Sequence, residues 1–181
     1  MYKNIDTKFA YRAFTGGPII CIFTKSKEGI ANGMTAAWSC PFDTNELLLV
    51  LDKGHTTSKN IIDGSKIVIA LPNSEQVDEL LKLGSVHGRD CKDKLKEQGI
   101  NTELSEKFQL PVMKNALAYF ECELSDKDLF TSKGICLSKV VNVYVKNDMW
   151  NEKNNSFDKG CLHTLHHVSE ANFTTGGELV K

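Results

Sequence analysis

The placement of the apolar runs restricts the fold most. "GPIICIFTK" (Gly17 to Lys25), "ELLLVLDK" (Glu46 to Lys53) and "SKIVIALP" (Ser65 to Pro72) are short, rich in β-branched and aliphatic side chains, and bounded by Gly, Lys-Gly or Pro. Runs of this kind read as buried strands. All three fall within the first 72 residues, and no regular alternation with helices separates them, which argues against a doubly wound parallel sheet. A small antiparallel barrel with helices packed outside fits better. Further along, "AYFECEL" sets Phe120, Cys122 and Leu124 against Glu121 and Glu123, and "VVNVYVKN" sets Val141, Val143 and Val145 against Asn142 and Lys146. That period of two predicts sheet with one wet face.

Helical signals are fewer. Asn73 and Gln76 have capping-box spacing ahead of Val77, Leu80 and Leu81, with Gly84 as a stop. "DCKDKLKEQG" predicts a charged helix from an Asp90 cap to Gly99, with Lys92 and Lys96 on its solvated face, and a shorter helical turn starts at Thr56 or Thr57 and ends at Gly64. One stretch stands out: "NGMTAAWSC" (Asn32 to Cys40) reads as strand but carries small side chains at its centre, where Val or Ile would hold a strand better. Two readings stay open. The strand is small to admit a helix packed closely on it, or small to let a flat ligand lie along its backbone and pair with its N–H and C=O groups.

The chain has 181 residues, 41% hydrophobic and 25% charged, which suits one globular domain spanning residues 1–181, with no internal repeat or dividing linker. Its net charge of −1 offers no global field for nucleic acid or an anionic membrane. The N-terminal residues lack the pattern of a secretory signal, and no apolar run approaches a bilayer span, so a cytoplasmic location is expected. Six cysteines without a C-x-x-C pair are expected to be reduced thiols.

The sequence lacks G-x-G-x-x-G after a strand, a P-loop, a G-x-S-x-G elbow and H-E-x-x-H, so nucleotide hydrolysis and triad hydrolysis are poor fits. "CLHTLHH" gathers Cys161, His163, His166 and His167, but the spacing is irregular and no matching pair exists elsewhere, so no metal is expected there. "LDKGHTTSKNI" is more informative: a strand runs through Lys53, Gly54 and His55 into the hydroxyls of Thr56, Thr57 and Ser58 at a helical start, a pattern suited to phosphate. The alternative is that Thr57 or Ser58 merely caps the turn. "HGRDCKDK" adds Arg89 and Lys94 as a second source of anion contacts.

In their order, "PIICIFTKSKEGIANGMTAAW", "LLLVLDKGHTTSKNI", "KIVIALP" and "GSVHGRDCKDKL" resemble the flavin reductase family, also called flavoredoxin-like, of FMN-binding split barrels. The resemblance covers roughly Gly17 to Leu95. It implies a mainly β fold, an antiparallel split β-barrel of Greek-key type with a few peripheral helices. It also implies that Asn32, Met34, Thr35, Ala36 and Ala37 lie along an isoalloxazine ring, that Lys53, His55, Thr56, Thr57 and Ser58 hold the ribityl chain and phosphate, and that Arg89 or Lys94 lies close to the cofactor. The implied cofactor is FMN, with FAD as the alternative, reduced by NADH or NADPH, in a homodimer. No catalytic side chain is implied, because the flavin carries the redox chemistry; His55 and His166 are candidates to tune it. The implied activity is NAD(P)H:flavin reduction, with a monooxygenase or an electron-transfer protein as partner. The alternatives are a flavoredoxin-like FMN electron carrier and a non-catalytic flavin or planar-cofactor binding module. Two positions depart from the family pattern: Asn45-Glu46 stands where many members have Pro-Pro, and His87 where Ser is common.

Overall fold

The computed structural model describes residues 17–153, 155–157 and 163–176. Seven strands form the main sheet: β1 (Ile20–Lys25), β2 (Ala31–Ala36), β3 (Ser39–Asp43), β4 (Glu46–Val50), β5 (Ile67–Leu71), β8 (Ala118–Leu124) and β9 (Ile135–Val145). Two short hairpins, β6 (Thr102–Leu104) with β7 (Pro111–Met113) and β12 (Leu165–Ser169) with β13 (Asn172–Thr175), lie outside it, as does the pair β10 (Trp150–Asn151) and β11 (Ser156–Phe157). The helices are α1 (Thr56–Ile62), α2 (Val77–Ser85), α3 (Lys94–Glu97) and α4 (Lys127–Lys133).

The main sheet runs β2-β1-β5-β8-β9-β4-β3, with every neighbouring pair antiparallel. Its two edge strands, β2 and β3, are joined through only Ala37 and Trp38. A flat sheet of this width would separate its edges by about 29 Å at the usual interstrand spacing. The linking residues span at most about 11 Å. The sheet therefore curls until its edges meet without pairing, which is a split barrel. The long β4-to-β5 connection leaves β4 beside β9 in the order β4-β9-β8-β5, a Greek key.

Two apolar clusters hold the fold. Ile20, Ile22, Ile67, Ile69, Leu49 and Cys122 point into the barrel, where Ile61 of α1 and Phe130 of α4 join them. Cys21, Phe23, Val68 and Ala70 point outward and are covered by Leu80 and Leu83 of α2, Leu95 of α3, and Val112 and Met113 of β7. Strands β1 and β5 are thus buried on both faces, which accounts for their unbroken apolar runs.

The wet-face expectation fails at two places, on β9 through a bulge and on β8 because the residues around Lys107 and Phe108 cover Glu121. A register shift between Glu121 and Cys122 pairs Glu121 with Asn142 but Cys122 with Val140, leaving Val141 as the extra residue. The alternation inverts there, and Val141 and Val143 become exposed. Glu121 is fully buried, its Oε1 accepting from the N–H groups of Lys107 (2.9 Å) and Phe108 (2.7 Å) and its Oε2 from the Asn142 amide (2.9 Å).

The Asn73/Gln76 capping box is present, in a 3-10 turn leading into α2, but the helix continues past Gly84 to Ser85. The charged helix is shorter than expected: Asp93, not Asp90, caps it by accepting from Lys96 N–H, while Asp90 closes a separate 3-10 turn, Gly88–Asp90. Among the described residues no group of His, Cys, Asp and Glu has the geometry of a metal site. His166 Nε2 lies 3.1 Å from Thr164 Oγ1 and His167 Nε2 lies 2.9 Å from the Glu170 carbonyl oxygen; Cys161 falls outside the described residues. Cys21, Cys122 and Cys136 are buried free thiols. No helix among the described residues is long and apolar enough to cross a membrane.

Candidate functional site

Where β4 leaves the barrel, Asp52 builds a turn. Its carboxylate accepts from Gly54 N–H (2.7 Å), and its carbonyl accepts from His55 N–H (3.2 Å) and from the Ser58 hydroxyl (2.7 Å). This fixes His55 at the start of α1, where its side chain makes no capping bond. The next side chains diverge. Thr56 faces a cleft and Thr57 is buried, accepting from Asn32 Nδ2 at 2.7 Å. A hydroxyl–amide bond therefore ties α1 to edge strand β2.

The opposite wall comes from the end of α2 and the turn after it. Lys94 reaches back from α3, and its buried ammonium donates to the carbonyls of Gly33 and Leu83, both at 2.8 Å. Burial pushes its pKa down. Among the described residues its hydrogen-bond partners are these two carbonyls, so the charge is solvated by backbone dipoles rather than by a carboxylate. The turn itself crosses close to β2: a Cβ on Gly88 would stand 2.0 Å from Asn32 Oδ1. Only glycine lets the chain pass there.

Between these walls lies a solvent-open cleft with about 370 Å³ of empty space. Of the residues expected at a site, it is lined by Asn32, Met34, Thr35, His55, Thr56, Thr57 and Lys94. The rest of its lining divides: Leu83, Gly84 and Val86 carry no site signal in the sequence, whereas His87 and Gly88 belong to the "HGRDCKDK" stretch, although the closeness of Gly88 to Asn32 exists only in three dimensions. Among the described residues no Asp or Glu lines the cleft. Two buried polar atoms beside it, Asn32 Oδ1 and His55 Nδ1, have no hydrogen-bond partner among the described residues. Such atoms are costly unless something satisfies them.

Five expected residues have other surroundings. Ala36 points into the barrel core, and Ala37 packs against the outer apolar cluster. Lys53 donates to the carbonyls of Thr131 (2.9 Å) and Ser132 (3.4 Å) near the end of α4. Ser58 is spent on the Asp52 turn. Arg89 is exposed, its Nε 4.0 Å from Asp90 Oδ1. The small strand serves packing on one face: a Cβ on Gly33 would stand 2.9 Å from the Phe23 ring and 3.1 Å from Leu83, and Thr35 Oγ1 donates to the Leu80 carbonyl at 2.8 Å. Its other face turns Asn32 and Met34 toward the cleft and the barrel.

Comparison with known proteins places this geometry in context. The model of the flavin reductase like domain matches residues 12–165. An uncharacterized protein of Pyrococcus abyssi is 30% identical over 151 residues, covering 80% of this chain and 82% of that one. An FMN-binding domain of a flavin reductases-like enzyme from Shewanella baltica superposes with a TM-score of 0.82 at 24% identity, covering 98% of this chain and 95% of that one. Flavoredoxin of Desulfovibrio vulgaris gives 0.78 at 17% identity, covering 100% and 96%. At these identities the two structures speak for the fold alone.

Proposed function

Because the chain belongs to the flavin reductase-like domain family, we propose that it is a flavin-dependent oxidoreductase that holds FMN in the cleft between β2, α1 and the turn at Gly88 and reduces it with NADH or NADPH. One observation carries the assignment to this cleft: among the described residues it is lined by no carboxylate, contains Lys94, and leaves Asn32 Oδ1 and His55 Nδ1 buried without partners. A flavin nucleotide has an anionic end and a ring edge with hydrogen-bond donors and acceptors, so the residues present fit it. FAD fits the same description of the ring.

Bound flavin would supply the redox chemistry, taking hydride from the nicotinamide. The chain's own part is to bind and orient. Among the described strands β2 pairs with β1, and no strand lies along its other edge, which is open to a polar ring edge. Asn32 is braced for this by Thr57, and Lys94 places a positive charge behind the strand at Gly33. A fixed cation there favours negative charge developing in the cleft. Thr56 and His55 line the cleft and would hold the phosphate. The active form is a homodimer in the cytoplasm, and reduced flavin serves an electron-accepting partner.

The test is anaerobic. Protein loaded with FMN is mixed with NADH or with NADPH and followed at the visible flavin band. Bleaching faster than that of free FMN under the same conditions supports the reductase. Binding without faster bleaching by either nucleotide contradicts it and favours an electron carrier like the flavoredoxins, whose fold this chain shares.

A further inference from the structure

We propose that His55 and His87 form a paired-imidazole clamp for a phosphate monoester, so that the cleft grips the phosphate end of its flavin with uptake of a proton and loosens it as the pH rises. This rests on the flavin reading above and concerns the regulation of that same site. The two rings both line the cleft and lie in contact, with centroids 5.6 Å apart and planes tilted by 48°. They arrive from separate elements, one at the head of α1 and the other just before the Gly88–Asp90 turn. His55 Nδ1 is buried and unpartnered, while His87 is exposed to solvent and its protons.

Imidazole is the side chain that changes charge between pH 5 and 8. A phosphate dianion held at the N–H edges of both rings favours their charged form and draws a proton in. The surroundings leave the pair free to do this. Lys94 is committed to two carbonyls, Lys53 is turned to the end of α4, Asp52 is occupied by Gly54 N–H, and Arg89 lies beside Asp90 on the turn itself. Among the described residues no carboxylate lines the cleft to neutralise the rings in advance. By linkage, affinity for the phosphate is full at low pH and falls as pH rises through the imidazole range, by up to about tenfold per pH unit for each proton taken up.

The experiment compares FMN with riboflavin, which lacks the phosphate, by fluorescence titration between pH 6 and 8 in wild type and His87→Ser. In wild type the FMN-to-riboflavin affinity ratio should fall several-fold or more across this range. His87→Ser should keep riboflavin binding and lose most of that fall; the phosphate's own second ionisation, near pH ~6, is common to both proteins and pushes the other way. Calorimetry of wild type in two buffers of different ionisation enthalpy should show net proton uptake with FMN and none with riboflavin, a readout that needs no variant. An FMN-to-riboflavin ratio that does not fall in wild type, or equal proton uptake for both flavins, overturns the clamp and leaves the flavin reading intact. Failure of both flavins to bind overturns the two together.

Discussion

At the scale of single residues, the site turns on Asn32, which is buried, bonded through its amide to Thr57 and crowded by Gly88. Thr57→Val keeps the shape but leaves the Asn32 amide without its acceptor, a loss of about 1–3 kcal/mol. In a chain of this size that lowers the melting temperature by roughly 2–12 °C, measurable by thermal denaturation. Gly88→Ala acts differently. The turn lies at the cleft wall, so displacing Asn32 Oδ1 should weaken FMN at least about tenfold, or ~1.4 kcal/mol, in a protein whose circular dichroism is unchanged; titration of that variant checks it. Neither effect is visible from sequence. The motif "LDKGHTTSKNI" brings His55, Thr56 and Thr57 to the cleft, but the fates of Lys53 and Ser58 depend on partners that only folding supplies.

At the scale of elements, Glu121 shows how one charged group pins a connection. Burial tends to raise its pKa, but the N–H groups of Phe108 and Lys107, with Ser105 and Asn142, hold it below the ordinary 4.5. A carboxylate lowered in the folded state adds stability that is complete above its unfolded value and is lost as pH falls through the folded one. Glu121→Gln should therefore be less stable than wild type at pH 7, and its urea midpoint should fall less steeply between pH 5 and 3. Parallel pH dependence in the two proteins would contradict this role. The two-faced burial of β1 and β5 was legible because both faces are apolar in the sequence. The β9 inversion was not, since a bulge is set by pairing with β8 and leaves Val141 and Val143 reading like core. The short α3 was misread because Asp90 and Asp93 are equally good caps locally, and tertiary contacts chose between them.

At the scale of the whole molecule, the barrel and its split follow from two residues joining the edge strands, whereas the cleft follows from helices brought to one edge from distant parts of the chain. Phe42, Val50, Val141 and Val143 remain exposed on β3, β4 and β9. Covering them is a natural use of a second copy, and sedimentation should find a dimer that Val143→Glu weakens; a monomeric wild type would contradict the proposed assembly. The central claim is that the cleft beside β2 holds FMN. The most direct measurement is the visible absorption spectrum of the protein titrated with FMN, alongside Gly88→Ala. A shifted, saturable flavin spectrum in wild type that is weakened in the variant is the predicted result. An unperturbed spectrum of free FMN in both would contradict the assignment of this cleft to flavin.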